Sequence, residues 1–143
     1  SGFLGIVTGI ALGLLSRIPF VEAKGVFDGA EFKNYSETTI KNTAGANYTV
    51  NLERGNVFEL ILDANCTFTF LKPPASGKSG SFTLILVQNG TGSRTVTWPS
   101  TVDWAGGTAP TLTTAANSVD IITLLTTNSG QRWYGFKAGL DLK

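Results

Sequence analysis

Short apolar runs alternate with turn clusters along most of this chain. Tyr48 to Leu52, Asn56 to Leu62, Asn65 to Phe70, Ser81 to Gln88, Arg94 to Trp98, Ser118 to Thr126 and Trp133 to Phe136 are rich in β-branched and aromatic residues. Each is bounded by Gly, Asn, Ser or Pro, and this spacing predicts strands. Within them Phe58, Leu60 and Leu62 share one face, as do Cys66, Phe68 and Phe70 against Thr67 and Thr69. Alternation of this kind argues for antiparallel strands with one face buried. Ile85-Leu-Val87 and Ile121-Ile122 are apolar on both faces, which predicts central strands covered on each side, one cover being a neighbouring subunit. The Pro73-Pro74 pair cannot occupy a central strand and marks a loop. No repeat of about 20 to 50 residues is visible, which argues against a solenoid or propeller. The expectation is an all-β chain: an antiparallel β-sandwich or jelly-roll-like domain, or a small barrel, over residues 47–143, preceded by a transition segment at 24–46.

Residues 1–23 differ from the rest, being apolar and uncharged as far as Arg17. The run is short of the about 20 apolar residues that a membrane span needs. Val21-Glu-Ala23 resembles a signal-cleavage site, but no basic residue precedes Phe3, so the segment is read as retained. Gly5, Gly9 and Gly13 suit either closely packed helices or an extended arm. Phe3, Leu4, Ile6, Val7, Ile10, Leu12, Leu14 and Leu15 are therefore expected to form a hydrophobic N-terminal arm that buries itself against other subunits. Burial in the domain's own core and membrane contact are the alternatives. Exposed on a free monomer, these side chains would drive aggregation.

Composition narrows the function. At 143 residues the chain suits one domain that needs no disulfide, and its net charge is +1 with only 15 % charged residues. The Lys and Arg residues are scattered, so no basic stripe exists to neutralise phosphates and nucleic acid is not an expected partner. The absence of His excludes imidazole triads and imidazole metal sites. Gly77-Lys78-Ser79 echoes a phosphate-binding loop but has Lys72 where the first Gly belongs and leads into a strand. Calcium loops are missing, and no cofactor is expected. The lone Cys66 reads as a small buried hydrophobe. The sequons at Asn34, Asn47, Asn65 and Asn89 arise readily in so Asn- and Thr-rich a chain. Asp120 stands in an apolar strand and would need a partner such as Arg94 or Arg132; with Asp103 it is the carboxylate that a glycosidase reading would use.

Trp98, Trp104, Trp133 and Tyr134 either plug the ends of the domain or present aromatic faces to sugars. Ala64-Asn-Cys-Thr-Phe-Thr-Phe-Leu-Lys-Pro-Pro-Ala-Ser-Gly77, Ser81 to Gln88, Arg94-Thr-Val-Thr-Trp-Pro99, Ala109-Pro-Thr-Leu-Thr113 and Trp133-Tyr-Gly135 together resemble a module of tailed-bacteriophage virion proteins. The likeness is to C-terminal domains of fibre-like and decoration proteins and spans about Asn47 to Lys143. It implies a virion structural protein, a homotrimeric fibre or capsid-decoration module. The arm lies outside the likeness and is read separately as the attachment to other virion proteins, and the lack of a catalytic constellation argues against an enzyme. The alternative is a carbohydrate-binding module that contacts host surface glycans through Trp98, Trp104 and Tyr134.

Overall fold

The computed structural model describes residues 25–143, and the eight apolar arm residues lie outside the described residues. Two compact units divide the chain, Ser1–Tyr35 and Ser36–Lys143. The described part of the first contains no helix or strand, and Phe32 meets Tyr35 edge-on at 6.2 Å.

The second unit is built from nine strands: β1 (Thr39–Thr43), β2 (Asn47–Asn51), β3 (Val57–Leu62), β4 (Cys66–Leu71), β5 (Gly80–Gln88), β6 (Val96–Thr97), β7 (Val102–Asp103), β8 (Val119–Thr126) and β9 (Trp133–Gly139). The apolar runs anticipate seven of them. β1 lies inside the segment read as a transition, and β7 is only two residues long, too short to carry a pattern.

Strands β1, β3, β5, β8, β9 and β7, in that spatial order, form a six-stranded sheet, while β2, β4 and β6 form a three-stranded one. From β1 to β6 the chain visits the two sheets in turn, so each strand pairs in parallel with the strand two places on. β7 also runs parallel to β9, and only the β5–β8 and β8–β9 pairs are antiparallel. The expectation of antiparallel strands is thus corrected to mixed sheets. Alternation reports one buried face whatever the strand direction, and here the return path between parallel strands is a strand of the other sheet rather than a helix.

Residues 36–97 therefore coil, although no repeat is visible in the sequence. Pairing offsets explain this: they grow from 18 residues (Thr39 to Val57) to 26 (Val57 to Thr83) in one sheet, and from 20 (Asn47 to Thr67) to 30 (Cys66 to Val96) in the other. Turns of unequal length erase the periodicity that marks a solenoid.

One apolar cluster serves both sheets. Phe58, Leu60, Leu62, Phe82, Leu84, Leu86, Ile122 and Leu124 of the larger sheet join Val50, Cys66 and Phe68 of the smaller. Phe82 meets Phe70 at 5.0 Å, Trp133 at 5.2 Å and Phe58 at 6.3 Å, all edge-to-face. Each such side chain contributes about 1.5–3 kcal/mol by burial. Trp133, one of the four aromatics considered for sugar contact, is a core residue at 2 % exposure.

The opposite face of the six-stranded sheet is also apolar. Ile61 is 45 % exposed, Tyr134 39 % and Phe136 50 %, and the half-buried Ile85, Val87, Ile121 and Leu125 lie among them. Lys41 and Glu59 add a single ion pair at 3.2 Å.

Between β5 and β6, Gly92 turns with φ of 72°, and its N–H donates to the Asn89 carbonyl and side chain at 3.1 and 3.0 Å. A Cβ there would stand 2.5 Å from the Thr114 carbonyl oxygen and 2.8 Å from the Ala116 nitrogen, both backbone. Gly92→Ala is expected to destabilise the domain by about 2 kcal/mol or more, lowering the melting temperature by roughly 8 °C or more. An unchanged melting temperature would contradict this packing.

Candidate functional site

Of the buried polar residues Gln88, Ser118, Asp120 and Thr126, the first three converge on one neighbourhood. Gln88 ends β5, and its inward amide donates to the Arg94 carbonyl at 2.8 Å and the Thr113 carbonyl at 3.2 Å while accepting from the Arg94 N–H at 3.0 Å. Ser118 Oγ donates to the Ala115 carbonyl at 2.7 Å and the Thr113 carbonyl at 3.3 Å. Asp120 accepts from the Thr113 N–H at 2.6 Å and the Asp141 N–H at 2.8 Å. Buried polar groups need such partners, and these also fix the backbone of Arg94 and of the 112–114 loop.

The partner expected for Asp120 is thereby corrected: backbone N–H groups hold its carboxylate, not Arg94 or Arg132. A strand-borne acid is a natural clamp for an irregular loop and a C-terminal segment whose N–H groups have no ladder to join. Arg132 instead pairs with Asp103 at 3.0 Å, both side chains more than half exposed, a contact worth little in stability.

Between the fixed segments lies a hollow of about 200 Å³ lined by Arg94, Thr95, Val96, Trp98, Ala109, Pro110, Thr111, Leu112 and Thr114. Pro110 also borders a second hollow of about 190 Å³ with Trp104, Ala105, Thr108, Gly135 and Lys137. A third, about 310 Å³, lies against Asp103, Trp104, Ala105, Tyr134, Gly135 and Phe136.

No single hollow holds all three aromatics named for sugar contact. Trp98 stacks on Phe68 at 5.5 Å and lines the first hollow, Trp104 lines the second and third, and Tyr134 lines the third. Trp98 and Trp104 meet edge-on at 5.1 Å. Gly135 makes room for Trp104, because a Cβ at that position would collide with its ring. Asp103 and Asp120 differ in setting: one is exposed beside Arg132, the other buried with both oxygens engaged.

Sequence reasoning missed Arg94 as a site residue, treating it only as a partner for Asp120. A signal was present: Arg94 is the single charged residue between Lys78 and Asp103. Phe136, and Gln88, whose amide holds the Arg94 and Thr113 backbone, were also passed over. Gly77-Lys78-Ser79 leads into β5, not into a helix. Burial, with Asp63 nearby, pushes the Cys66 thiol up, so at neutral pH it stays protonated and unreactive. Among the described residues no cluster of metal-ligating side chains occurs.

Asp120→Asn puts an amide N–H₂ against one of two backbone donors and is expected to cost about 1–3 kcal/mol, read in chemical denaturation. A change below a few tenths of that range would show that the clamp does not hold the loop.

A family model described as "Putative phage tail fibre C-terminal domain" matches residues 45–132. No curated protein and no solved structure matches the chain.

Proposed function

The chain belongs to the phage tail fibre C-terminal domain family and is a structural protein of the virion, and from that premise we propose that it is a homotrimeric fibre module whose copies meet through the outer face of the six-stranded sheet. The observation that carries this is the apolar character of that face, where Ile61, Tyr134 and Phe136 are open to solvent. Contiguous exposed apolar surface of this kind marks an interaction site, and identical copies around a closed axis cover it without leaving an edge. The apolar residues from Phe3 to Leu15 join the module to other virion proteins. The family match supports placement in the tail rather than as decoration on the capsid. A structural rather than catalytic role is supported by the absence of His and by the full engagement of the Asp120 carboxylate.

Light scattering on the full chain should give about 45 kDa, three copies of 15.1 kDa. Ile61→Lys, at an exposed position that leaves the fold intact, should abolish the trimer while the domain keeps its native strand content. A monomeric native chain, or a trimer indifferent to both Ile61→Lys and Ile85→Lys, overturns the proposal.

A second reading, contact with host surface glycans, is favoured by the placement of Trp104 in the second hollow, which shares Pro110 with the hollow that Trp98 lines. Tyr134 and Phe136 lie on the face assigned to assembly, so the rings left for sugar are Trp104 and Trp98. Glycan-array binding should disappear in Trp104→Ala, and binding that persists there removes Trp104 from the site.

A further inference from the structure

We propose that the hollow lined by Arg94 and Trp98 binds a carboxylate-bearing saccharide, of the uronic acid type, through the Arg94 guanidinium. This deepens the glycan reading and rests on it.

Arg94 has no ion pair, and its Nε is buried without a hydrogen-bond partner. A buried donor left unmatched in a well-packed domain calls for an acceptor from outside, a water or a ligand atom. The remainder of the site is constructed around this side chain. Gln88 grips the Arg94 backbone through both its N–H and its carbonyl, and Gln88, Ser118 and Asp120 together pin Thr113, in the loop that supplies Leu112 and Thr114 to the opposite wall. Three of the domain's buried polar residues therefore hold the walls in place, as a preorganised site requires.

The lining identifies the ligand chemistry. Arginine presents a planar fork that matches a carboxylate in two parallel hydrogen bonds. With one cation in the hollow, a single negative charge is matched, whereas phosphate sites gather several donors. Trp98, Pro110 and Leu112 offer an apolar surface to the C–H face of a sugar ring, and Thr95, Thr111 and Thr114 offer hydroxyls to its oxygens. The hollow belongs to the β6 side of the domain, in the three-stranded sheet, so assembly through the outer face of the other sheet leaves it open.

The test is calorimetric titration of the full chain with trigalacturonate and with its fully methyl-esterified form, which has the same rings without the charge. Trigalacturonate should bind, and affinity should fall tenfold or more for the ester and equally for trigalacturonate with Arg94→Gln; Arg94→Lys should restore only part of it. Because the Arg94 side chain makes no hydrogen bond within the domain, Arg94→Gln should melt within a few degrees of the native chain. Equal binding of acid and ester, or undiminished binding by Arg94→Gln, overturns the carboxylate contact while leaving a neutral glycan at Trp104 standing. Binding of neither form overturns the proposal for uronates, the Trp104→Ala array result judging the broader glycan reading separately. Hexaglutamate competing as well as trigalacturonate would assign the hollow to acidic peptide and overturn it too.

Discussion

The shared apolar core between two sheets that the chain visits in turn is the constraint from which the rest of this domain follows. Neither sheet closes a core alone: the three-stranded sheet supplies Val50, Cys66 and Phe68, and the six-stranded sheet the remainder of the cluster apart from Ala44, which follows β1. Phe82 joins the layers, its ring touching Phe58 and Trp133 on one side and Phe70 on the other. Because consecutive strands from β1 to β6 lie in different layers, each parallel pair among them closes only when the intervening strand has docked across the core. Non-local pairing of this kind makes folding slow and the folded state hard to leave, a suitable property for a component of a virion.

Strand positions were largely legible in the sequence because a half-buried strand writes its burial as alternation. Phe58, Leu60 and Leu62 show it in β3, and Cys66 and Phe68 in β4. Strand direction was not legible, since alternation is the same for parallel and antiparallel neighbours, and the coil was hidden by turns that lengthen from one circuit to the next. β1 escaped notice because Thr39-Ile-Lys-Asn-Thr43 buries only Ile40 fully. The double apolarity of Ile85 and Ile121 was legible and has a structural counterpart in the apolar outer face.

The site was less legible than the fold. Aromatic residues announce themselves, but which hollow each lines is decided by loops without pattern: Trp98 and Tyr134 lie in different hollows, and Trp133, next to Tyr134, is core. Asp120 stood out as an acid in an apolar strand, yet its partners are backbone N–H groups of Thr113 and Asp141, which carry no sequence signature. Arg94 gains its setting from Gln88, six residues earlier at the end of β5, and only the turn between them brings the two together. Buried polar residues, few in this domain, prove to be the ones that shape irregular walls rather than strands.

Under the proposed assembly and ligand readings, the two faces of the domain divide the work of a fibre module: the outer face of the larger sheet toward copies of itself, the loop side with Arg94 and Trp98 toward the surroundings. The most direct measurement of this division is an electron cryo-microscopy map of the chain in the intact particle. It should show three copies about one axis with Ile61, Ile85 and Ile121 packed against a neighbour and the Arg94 hollow facing outward. A map with those isoleucines facing solvent, or with the Arg94 hollow closed by a neighbouring copy, would contradict the account.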